Sequence, residues 1–171
     1  MRDTDLDQPN ASRARCSEAI HLVLPYPVSA NRYWRHGLIK GRPVTFVTKE
    51  AKAYREDVGW KARAQGLRTP SSERIEVALV LYPARPKDWA KRKAKNPDRW
   101  DDSVQCMDLG NCEKVVGDAI NGIAWVDDKQ IFRMVKHRAE PDEHGARLEL
   151  YIRPAARSMD LFGPDLMELR R

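Results

Sequence analysis

Residues 108–130 read DLGNCEKVVGDAINGIAWVDDKQ, a stretch that combines a short amphipathic helix with acidic residues on both of its flanks. The periodicity predicts a helix from about residue 112 to residue 121, because apolar side chains recur at the spacing of one helical face. These apolar residues are Cys112, Val115, Val116 and Ala119. Gly122 predicts the end of the helix, since glycine readily adopts the left-handed conformation that closes helices.

The opposite face of this helix is polar. Asn111, Lys114 and Asp118 follow one another at spacings of three and four residues and therefore share that face. Asp108 lies one turn upstream of the same row. The sequence thus predicts a lysine and several potential oxygen ligands along one side of one helix.

A second acidic group follows the helix. After Gly122 the chain can turn back, and we expect Asp127 and Asp128 to lie near the start of the helix. Carboxylates from two segments with a lysine between them suit magnesium-assisted hydrolysis of a phosphodiester, because Mg²⁺ prefers carboxylate oxygens and keeps water molecules. A purely structural interpretation also fits, since Asp-Asp is common in turns and Lys114 with Asp118 can form a surface ion pair.

The flanking sequence predicts a small mixed α/β domain of the α+β class, with a few-stranded sheet packed against two main helices. Strands are predicted at 20–24, 44–47, 73–82, 130–138 and 147–153. The strand at 73–82 is apolar on both sides and is therefore expected at the centre of the sheet. The last two strands are expected to form a closing hairpin, and residues 29–43 an irregular loop.

The first main helix is predicted to run from Thr48, its N-cap, to about Gly66. One apolar face is expected to pack on the sheet and consists of Ala51, Tyr54, Val58 and Ala62. The opposite face is also apolar and consists of Ala53, Trp60, Ala64 and Leu67. Such a helix is either sandwiched within its own domain or used at a subunit interface, and the small size of the chain favours the interface.

Composition narrows the class of protein. The chain has 171 residues and a formal net charge of +6, which indicates one domain with an anionic partner such as nucleic acid. No apolar run is long enough to span a membrane, and the first residues lack the apolar core of a signal peptide. Three cysteines without CxxC spacing indicate reduced thiols. We therefore expect a cytoplasmic protein with no membrane partner.

The chain is predicted to hold one folded domain, at residues 19–154, which contains all the predicted strands and helices. Residues 1–18 carry few large apolar side chains and are expected to form a disordered arm. Residues 155–171 are expected to form a tail, as a short docking helix or as a segment that orders on contact.

A basic segment at 85–99 contains seven Lys or Arg against two Asp, with Trp89 among them. It is either a solvated, mobile loop or a segment that follows a phosphate backbone and stacks an aromatic ring on a base. The sequence does not decide between the two. The candidate DNA contacts in this segment are Lys91, Arg92 and Lys93.

Three motifs occur in order along the chain. PVSANRYWR lies at 27–35 and AYR at 53–55, and the third motif runs from Asp108 through Lys114 and Asp118 to WVDDKQ at 125–130. Together they resemble the signature of the RusA family of Holliday junction resolvases. The resemblance implies a RusA-like nuclease domain that forms a homodimer and depends on Mg²⁺, with Mn²⁺ able to substitute. It also implies paired symmetric nicks across a four-way DNA junction, in recombination and repair.

The resemblance further implies roles for individual residues. The expected metal ligands and catalytic carboxylates are Asp108, Asp127 and Asp128. Lys114 matches a lysine required for cleavage, and the supporting positions are Asn111, Asp118 and Gln130. DNA contacts are expected from Asn31, Arg32, Tyr33, Trp34 and Arg35, with further phosphate contacts from Lys136 and Arg138. Trp34, Tyr33 or Trp89 is expected to wedge into the junction or to stack on an exposed base.

One position departs from the family pattern. Gly110 stands where the family usually has a second metal-binding aspartate, so the predicted site is short of one carboxylate. Glu113, Asp118 or the Asp101-Asp102 pair is a candidate to compensate, as is a water molecule. One alternative is a junction-binding protein with impaired catalysis, and another is an RNA-binding module with an accidental motif match. No zinc site is expected, because no compact zinc spacing relates Cys106, Cys112, His137 and His144.

Overall fold

The computed structural model describes residues 19–155, so the predicted arm and, apart from Ala155, the predicted tail lie outside the described residues. These described residues contain six strands: β1 (Ile20–Pro25), β2 (Trp34–Ile39), β3 (Arg42–Val47), β4 (Ile75–Tyr82), β5 (Ile131–Arg138) and β6 (Arg147–Pro154). The α-helices are α1 (Ala30–Tyr33), α2 (Lys49–Ala64), α3 (Trp89–Lys95) and α4 (Leu109–Ile120). No helix within residues 19–155 is long and apolar enough to cross a bilayer.

The main sheet has the strand order β1-β6-β4-β5 and packs against α2 and α4 on one face. All eight residues of β4 are buried, which confirms that this strand is central. Its side chains Val77, Leu79 and Leu81 align across the sheet with apolar side chains of β6 and face the main core. The alternate residues of β4 lie on the other face, in a smaller apolar cluster.

The expected closing hairpin of the last two strands is wrong, because β4 lies between β5 and β6. β5 pairs with β4 in parallel, while β6 pairs with β4 antiparallel. A strand that is apolar on both faces is typical of the interior of a sheet, where it has a neighbouring strand at each edge. Helix α4 supplies the crossover connection that a parallel neighbour requires. Residues 139–146 then carry the chain across the end of β4, where Ala139 N donates to Leu81 O.

The irregular loop expected at 29–43 is also wrong. These residues form the single turn α1 and then most of the two-stranded sheet of β2 and β3. Lys40 and Gly41 have φ angles of 52° and 76°, the left-handed conformations that a two-residue hairpin turn requires. Gly37 lies inside β2, where a Cβ would come 3.3 Å from the ring of Phe46. The glycines therefore permit a tight hairpin here.

Helix α2 follows the prediction closely. The Thr48 side chain accepts a 3.2 Å hydrogen bond from Ala51 N, which confirms the N-cap, and the expected inner face is buried. Trp60 on the outer face is 71% exposed in the single chain. Leu67 was expected on that outer face but is buried, because the helix ends at Ala64 and Leu67 N donates to Ala62 O as the chain turns into the core.

Candidate active site

Asp108 caps helix α4. Its Oδ1 accepts a 2.8 Å hydrogen bond from Asn111 N, and the Asn111 side-chain amide donates to its other oxygen. A helix leaves its first N–H groups without partners, and a carboxylate at the N-cap satisfies one of them and complements the helix dipole. The helix consequently starts at Leu109 instead of residue 112, and the Asp108 carboxylate is fixed at its amino end.

The Asp127-Asp128 turn is held by Gln130. Residues Asp128–Gln130 form one turn of 3₁₀-helix that Asp127 caps by accepting from Lys129 N at 2.9 Å. The Gln130 side chain accepts from the backbone N–H groups of Val126 and Asp127 at 2.9 and 2.8 Å. It also donates to the carbonyls of Ser71 and Glu73, 2.9 and 2.8 Å away. Gln130 therefore fastens the acidic turn to the segment before β4.

The turn lies beside the second half of α4, not near its start as expected. Gly122 has φ 76° and its N–H donates to Trp125 O at 2.7 Å, so the chain reverses in a tight loop and cannot run back along the helix. Asp128 reaches the neighbourhood of Asp118 instead. Burial, followed by the charge of Asp128, raises the pKa of Asp118, and Arg55 partly opposes this effect.

A pocket of about 550 Å³ connects these groups. We call it the Asp118–Asp128 pocket; its lining comprises Trp34, Glu113, Lys114, Gly117, Asp118, Asp128, Ile131, Phe132, Arg133 and Met134. Lys114 and Asp128 are exposed to solvent, and Asp118 is accessible at the opening although its carboxyl is partly desolvated. Glu113 is engaged by Lys136 Nζ at 2.5 Å. Three carboxylates, one of them paired with Lys136, and Lys114 thus share one opening with aromatic and apolar side chains.

Asp108 does not reach this pocket. It lines a different cavity of about 770 Å³, together with Tyr26, Met107 and Asn111. Ten residues separate Asp108 from Asp118, which corresponds to about 15 Å along an α-helix. Within residues 19–155 no three His, Cys, Asp or Glu side chains are grouped so that they could hold a metal ion. One chain therefore does not bring the expected ligands Asp108, Asp127 and Asp128 together.

The donor chemistry of the Asp118–Asp128 pocket nevertheless fits Mg²⁺. This ion is commonly bound by one or two carboxylates and keeps the rest of its shell as water. Of the carboxylates considered as substitutes for the missing ligand at Gly110, only Glu113 and Asp118 line the pocket, and Glu113 is paired with Lys136. Asp102 instead pairs with Arg99 at 2.8 Å. Asp118 is the carboxylate best placed beside Asp128.

Comparison with known proteins identifies the family. The profile described as "Endodeoxyribonuclease RusA" matches residues 25–153, most of the chain. This protein belongs to the RusA family. The chain is 34% identical over 139 residues to "Crossover junction endodeoxyribonuclease rusA" of Enterobacteria phage 82, an alignment that covers 77% of this chain and 92% of the relative.

Bacterial RusA proteins give similar sequence identities and similar coverage of the two chains. The RusA of Escherichia coli (strain K12), also named a crossover junction endodeoxyribonuclease, is 34% identical over 138 residues, with 77% of this chain and 91% of the relative covered. The RusA of Shigella sonnei (strain Ss046) is 32% identical over 134 residues, with the same coverage. The family resemblance inferred from the three motifs is confirmed.

The first RusA motif contributes to the site in part. Trp34 lines the Asp118–Asp128 pocket, and Asn31 and Arg35 are exposed. Arg32 pairs with Glu50 at 2.8 Å. Tyr33 was expected to contact DNA, but it is only 2% exposed because its side chain, at the end of α1, packs into the main core. Its ring is not available to stack on a base.

The basic segment of this RusA protein is an ordered structure. Residues 89–95 form α3, and the guanidinium of Arg85 lies 4.7 Å from the Trp89 ring, which packs near the buried Trp100. Several cations have acidic partners, namely Arg85 with Glu143, Arg92 with Asp88, Lys93 with Glu140 and Arg99 with Asp102. Lys91 forms no ion pair with any residue in the range 19–155. Residues 89–95 are therefore helical where a loop was one of the two expectations, and Trp89 packs against Arg85 and Trp100 in this structure.

Sequence reasoning missed several residues of the site. Phe132 and Met134 line the pocket because β5 runs past α4, and Arg55 approaches Asp118 from α2. The alternation of β5 was the only signal for the first two. Arg138, expected to bind phosphate, donates to the carbonyls of Asp101 and Val104 at 2.8 and 3.0 Å and so stabilises the turn there.

Proposed function

We propose that this chain is a magnesium-dependent endodeoxyribonuclease that cuts four-way DNA junctions by paired nicks. Family membership and the printed names of its relatives support the reaction class. The observation that carries the proposal is the Asp118–Asp128 pocket, where Lys114 and Asp118 of the third motif meet Trp34 of the first. Motifs that are far apart in the chain thus contribute to one opening.

The residues of the pocket divide the chemistry among them. Asp118 and Asp128 would hold Mg²⁺, which when bound supplies a Lewis acid and lowers the pKa of a coordinated water. Lys114 places a cation in the same opening, where it can stabilise negative charge that develops on the scissile phosphate or the leaving oxygen. Trp34 provides an apolar wall that orients the nucleotide. Asp108 remains a proposed catalytic carboxylate on the strength of the family motif, although it lies in the neighbouring cavity.

Paired nicks require two sites, and a homodimer supplies them by symmetry. The outer face of α2, with Trp60 largely exposed, is the proposed subunit contact. In sedimentation experiments we expect a dimer for the wild type and a shift toward monomer for Trp60→Glu. Phe46→Glu, which also introduces an acid at an exposed aromatic, is the control and should leave the dimer intact.

A second candidate is a junction-binding protein with impaired catalysis. It is favoured by Gly110 and by the separation of Asp108 from the other carboxylates. A Cβ at position 110 would lie 3.3 Å from Asp108 Oδ1, so an aspartate there would join the Asp108 cavity and press on the capping carboxylate. Both candidates predict salt-sensitive binding to junctions, and they differ in whether Mg²⁺ produces nicks.

The experiment incubates the protein with a labelled four-way junction in Mg²⁺ or EDTA, beside Asp128→Asn and Lys114→Ala. The nuclease proposal expects paired nicks in opposite strands that disappear in EDTA and in both variants, while binding persists. Binding without nicks, with no rescue by Gly110→Asp, would establish the second candidate. Preference for single-stranded RNA in a competition assay would overturn both.

A further inference from the structure

The β2–β3 hairpin stands apart from the main sheet and exposes apolar side chains. It forms its own two-stranded sheet and is joined to the domain at Trp34 and Val47. Leu38 and Ile39, next to its tip, are 75% and 59% exposed, and Phe46 is 47% exposed. Large apolar side chains grouped in this way on a projecting element indicate an interaction surface.

The charge of the hairpin indicates what kind of partner this is. Residues 34–47 contain Arg35, Lys40 and Arg42 but no Asp or Glu. Neither Lys40 nor Arg42 forms an ion pair with any residue in the range 19–155. Two copies of such a hairpin would repel each other, so a second copy of the chain is a poor occupant. A polyanion that also offers apolar surface is a good one.

The register arranges these side chains in a defined pattern. Opposite residues of an antiparallel pair share a face, and Arg35 faces Phe46 while Ile39 faces Arg42. One face therefore pairs a cation with an apolar side chain at its base and again at its tip. Leu38 lies on the other face beside Pro43, so the tip is apolar on both sides. The left-handed residues Lys40 and Gly41 keep the tip narrow.

We propose that the β2–β3 hairpin is a wedge that inserts Leu38 and Ile39 into the base stack of branched DNA. This inference rests on the proposed function and adds to it the element that opens the substrate. Apolar side chains such as leucine and isoleucine unstack base steps when flanking cations hold the phosphates. Base stacking is already interrupted where the strands exchange at the centre of a junction, so insertion there costs less than in a continuous duplex.

The position of the hairpin relates the opening of the junction by its tip to cleavage of the DNA at the Asp118–Asp128 pocket. Trp34, the first residue of β2, lines the Asp118–Asp128 pocket. The strand from Trp34 to Ile39 spans about 17 Å, so tip and pocket reach the same junction. Thr48 N donates to Tyr33 O at 3.0 Å and closes the base of the hairpin, which makes its direction relative to α2 fixed.

The test places 2-aminopurine, whose fluorescence rises on unstacking, at the crossover of a four-way junction. In EDTA the wild type is expected to raise the fluorescence on binding. Leu38→Thr combined with Ile39→Thr places β-branched residues, which favour strands, at both positions but removes the apolar tip. We expect this variant to lose most of the rise, while its affinity falls less than about tenfold because phosphate contacts dominate binding. Val23→Thr, an exposed apolar position on β1, is the matched control.

Two further measurements complete the test. In Mg²⁺ the tip variant should nick an intact junction slowly but a junction with unpaired bases at the crossover at nearly the wild-type rate. Lys40→Asn with Arg42→Gln should reduce the slope of log affinity against log salt by about 0.9 per cation. Asparagine suits position 40 because it tolerates the left-handed conformation.

The outcomes separate this inference from the proposed function. A tip variant that unstacks the junction as the wild type does, or one that becomes monomeric in sedimentation, overturns the wedge while wild-type nicking still stands. A wild type that neither binds nor nicks junctions overturns the proposed function, and the wedge with it.

Discussion

The indole Nε1 of Trp125 donates a hydrogen bond to Oδ1 of Asp128 across 2.7 Å, and the indole itself is 1% exposed. A core residue thus orients an exposed carboxylate of the candidate active site. The second oxygen of Asp128 remains available to the pocket. This relationship makes the chemistry of the site depend on a buried ring that cannot contact substrate.

Trp125→Phe should therefore impair cleavage more than binding. Loss of an orienting partner of a ligating carboxylate reduces activity by about 10- to 100-fold, so we expect a drop of that order in the nicking rate with junction affinity little changed. Trp100→Phe is a close control, because buried Trp100 donates a 2.7 Å bond to Glu140, which does not line the pocket. Equal loss of nicking in both variants would mean that Trp125 acts only through stability.

Gln130→Glu should destabilise the acidic turn. The new carboxylate could still accept from Val126 and Asp127, but it would face the carbonyls of Ser71 and Glu73 that now receive N–H donors. Each buried polar group left without a partner costs about 1–3 kcal/mol. Because the bond to Ser71 is only partly buried and the bond to Glu73 is exposed, we expect a loss of about 1–2 kcal/mol in the free energy of unfolding, measured with urea, together with slower nicking.

Gln65→Glu provides the comparison for this change. Gln65 also bonds to backbone groups of another segment, at Val23, but it lies at the end of α2 away from the pocket. We expect Gln65→Glu to lower the free energy of unfolding without a specific effect on the nicking rate. Unchanged nicking by Gln130→Glu would show that the turn does not need this clamp.

Asp118→Asn should raise thermal stability while reducing nicking. The pKa of Asp118 is raised above 3.8 by burial and by Asp128, so the folded protein binds its proton more tightly than the unfolded chain does. Stability from this group is present below pH 3.8 and is lost as the pH rises through the folded pKa. The variant should therefore have a higher Tm than the wild type at pH 7, and the difference should vanish near pH 3. A lower Tm at pH 7 would contradict this.

Asp142→Asn should have the opposite pH dependence. The Arg147 guanidinium, which bonds both oxygens of Asp142 at 2.7 and 2.8 Å, lowers the pKa of that carboxyl below 3.8. Its stabilisation is complete above pH 3.8 and is lost as the pH falls through the folded pKa. At pH 7 we expect urea unfolding to show a loss of about 1–3 kcal/mol, which disappears in strong acid. Asp98→Asn, at a site with no ion pair within residues 19–155, is the control and should lose less stability at pH 7.

Alanine substitutions at two glycines of α4 test how firmly the Asp108 carboxylate is held as the cap of the helix. A Cβ at Gly117 meets nothing within 4 Å, so Gly117→Ala should stabilise the helix by about 0.5–1 kcal/mol. A Cβ at Gly110 would lie 3.3 Å from Asp108 Oδ1 and push on the capping carboxylate. Gly110→Ala should therefore gain less, or lose stability, in the same denaturation experiment. Equal gains would show that Asp108 can shift without cost.

Local patterns were enough for the elements whose form depends on neighbours in the chain. Thr48 predicts the start of α2, Gly122 predicts the end of α4, and the unbroken apolar run of β4 predicts a central strand. The predictions of local structure and strand pairing were wrong where a turn or the edge of a strand determined the outcome. The Lys40-Gly41 turn converts a presumed loop into a hairpin, and β4 separates the two strands that were expected to pair.

The sequence by itself determined the family, the main helices, the central strand and the identity of the polar residues on α4, because these follow from motif order and periodicity within a short segment. Only the tertiary structure decided which of those residues meet. The tight reversal at Gly122 brings Asp128 to Asp118 and leaves Asp108 at the far end of the helix, while packing buries Tyr33 and brings Trp34 to the pocket. Side-chain proximity between distant segments depends on where each chain reversal ends, and no local pattern contains that information.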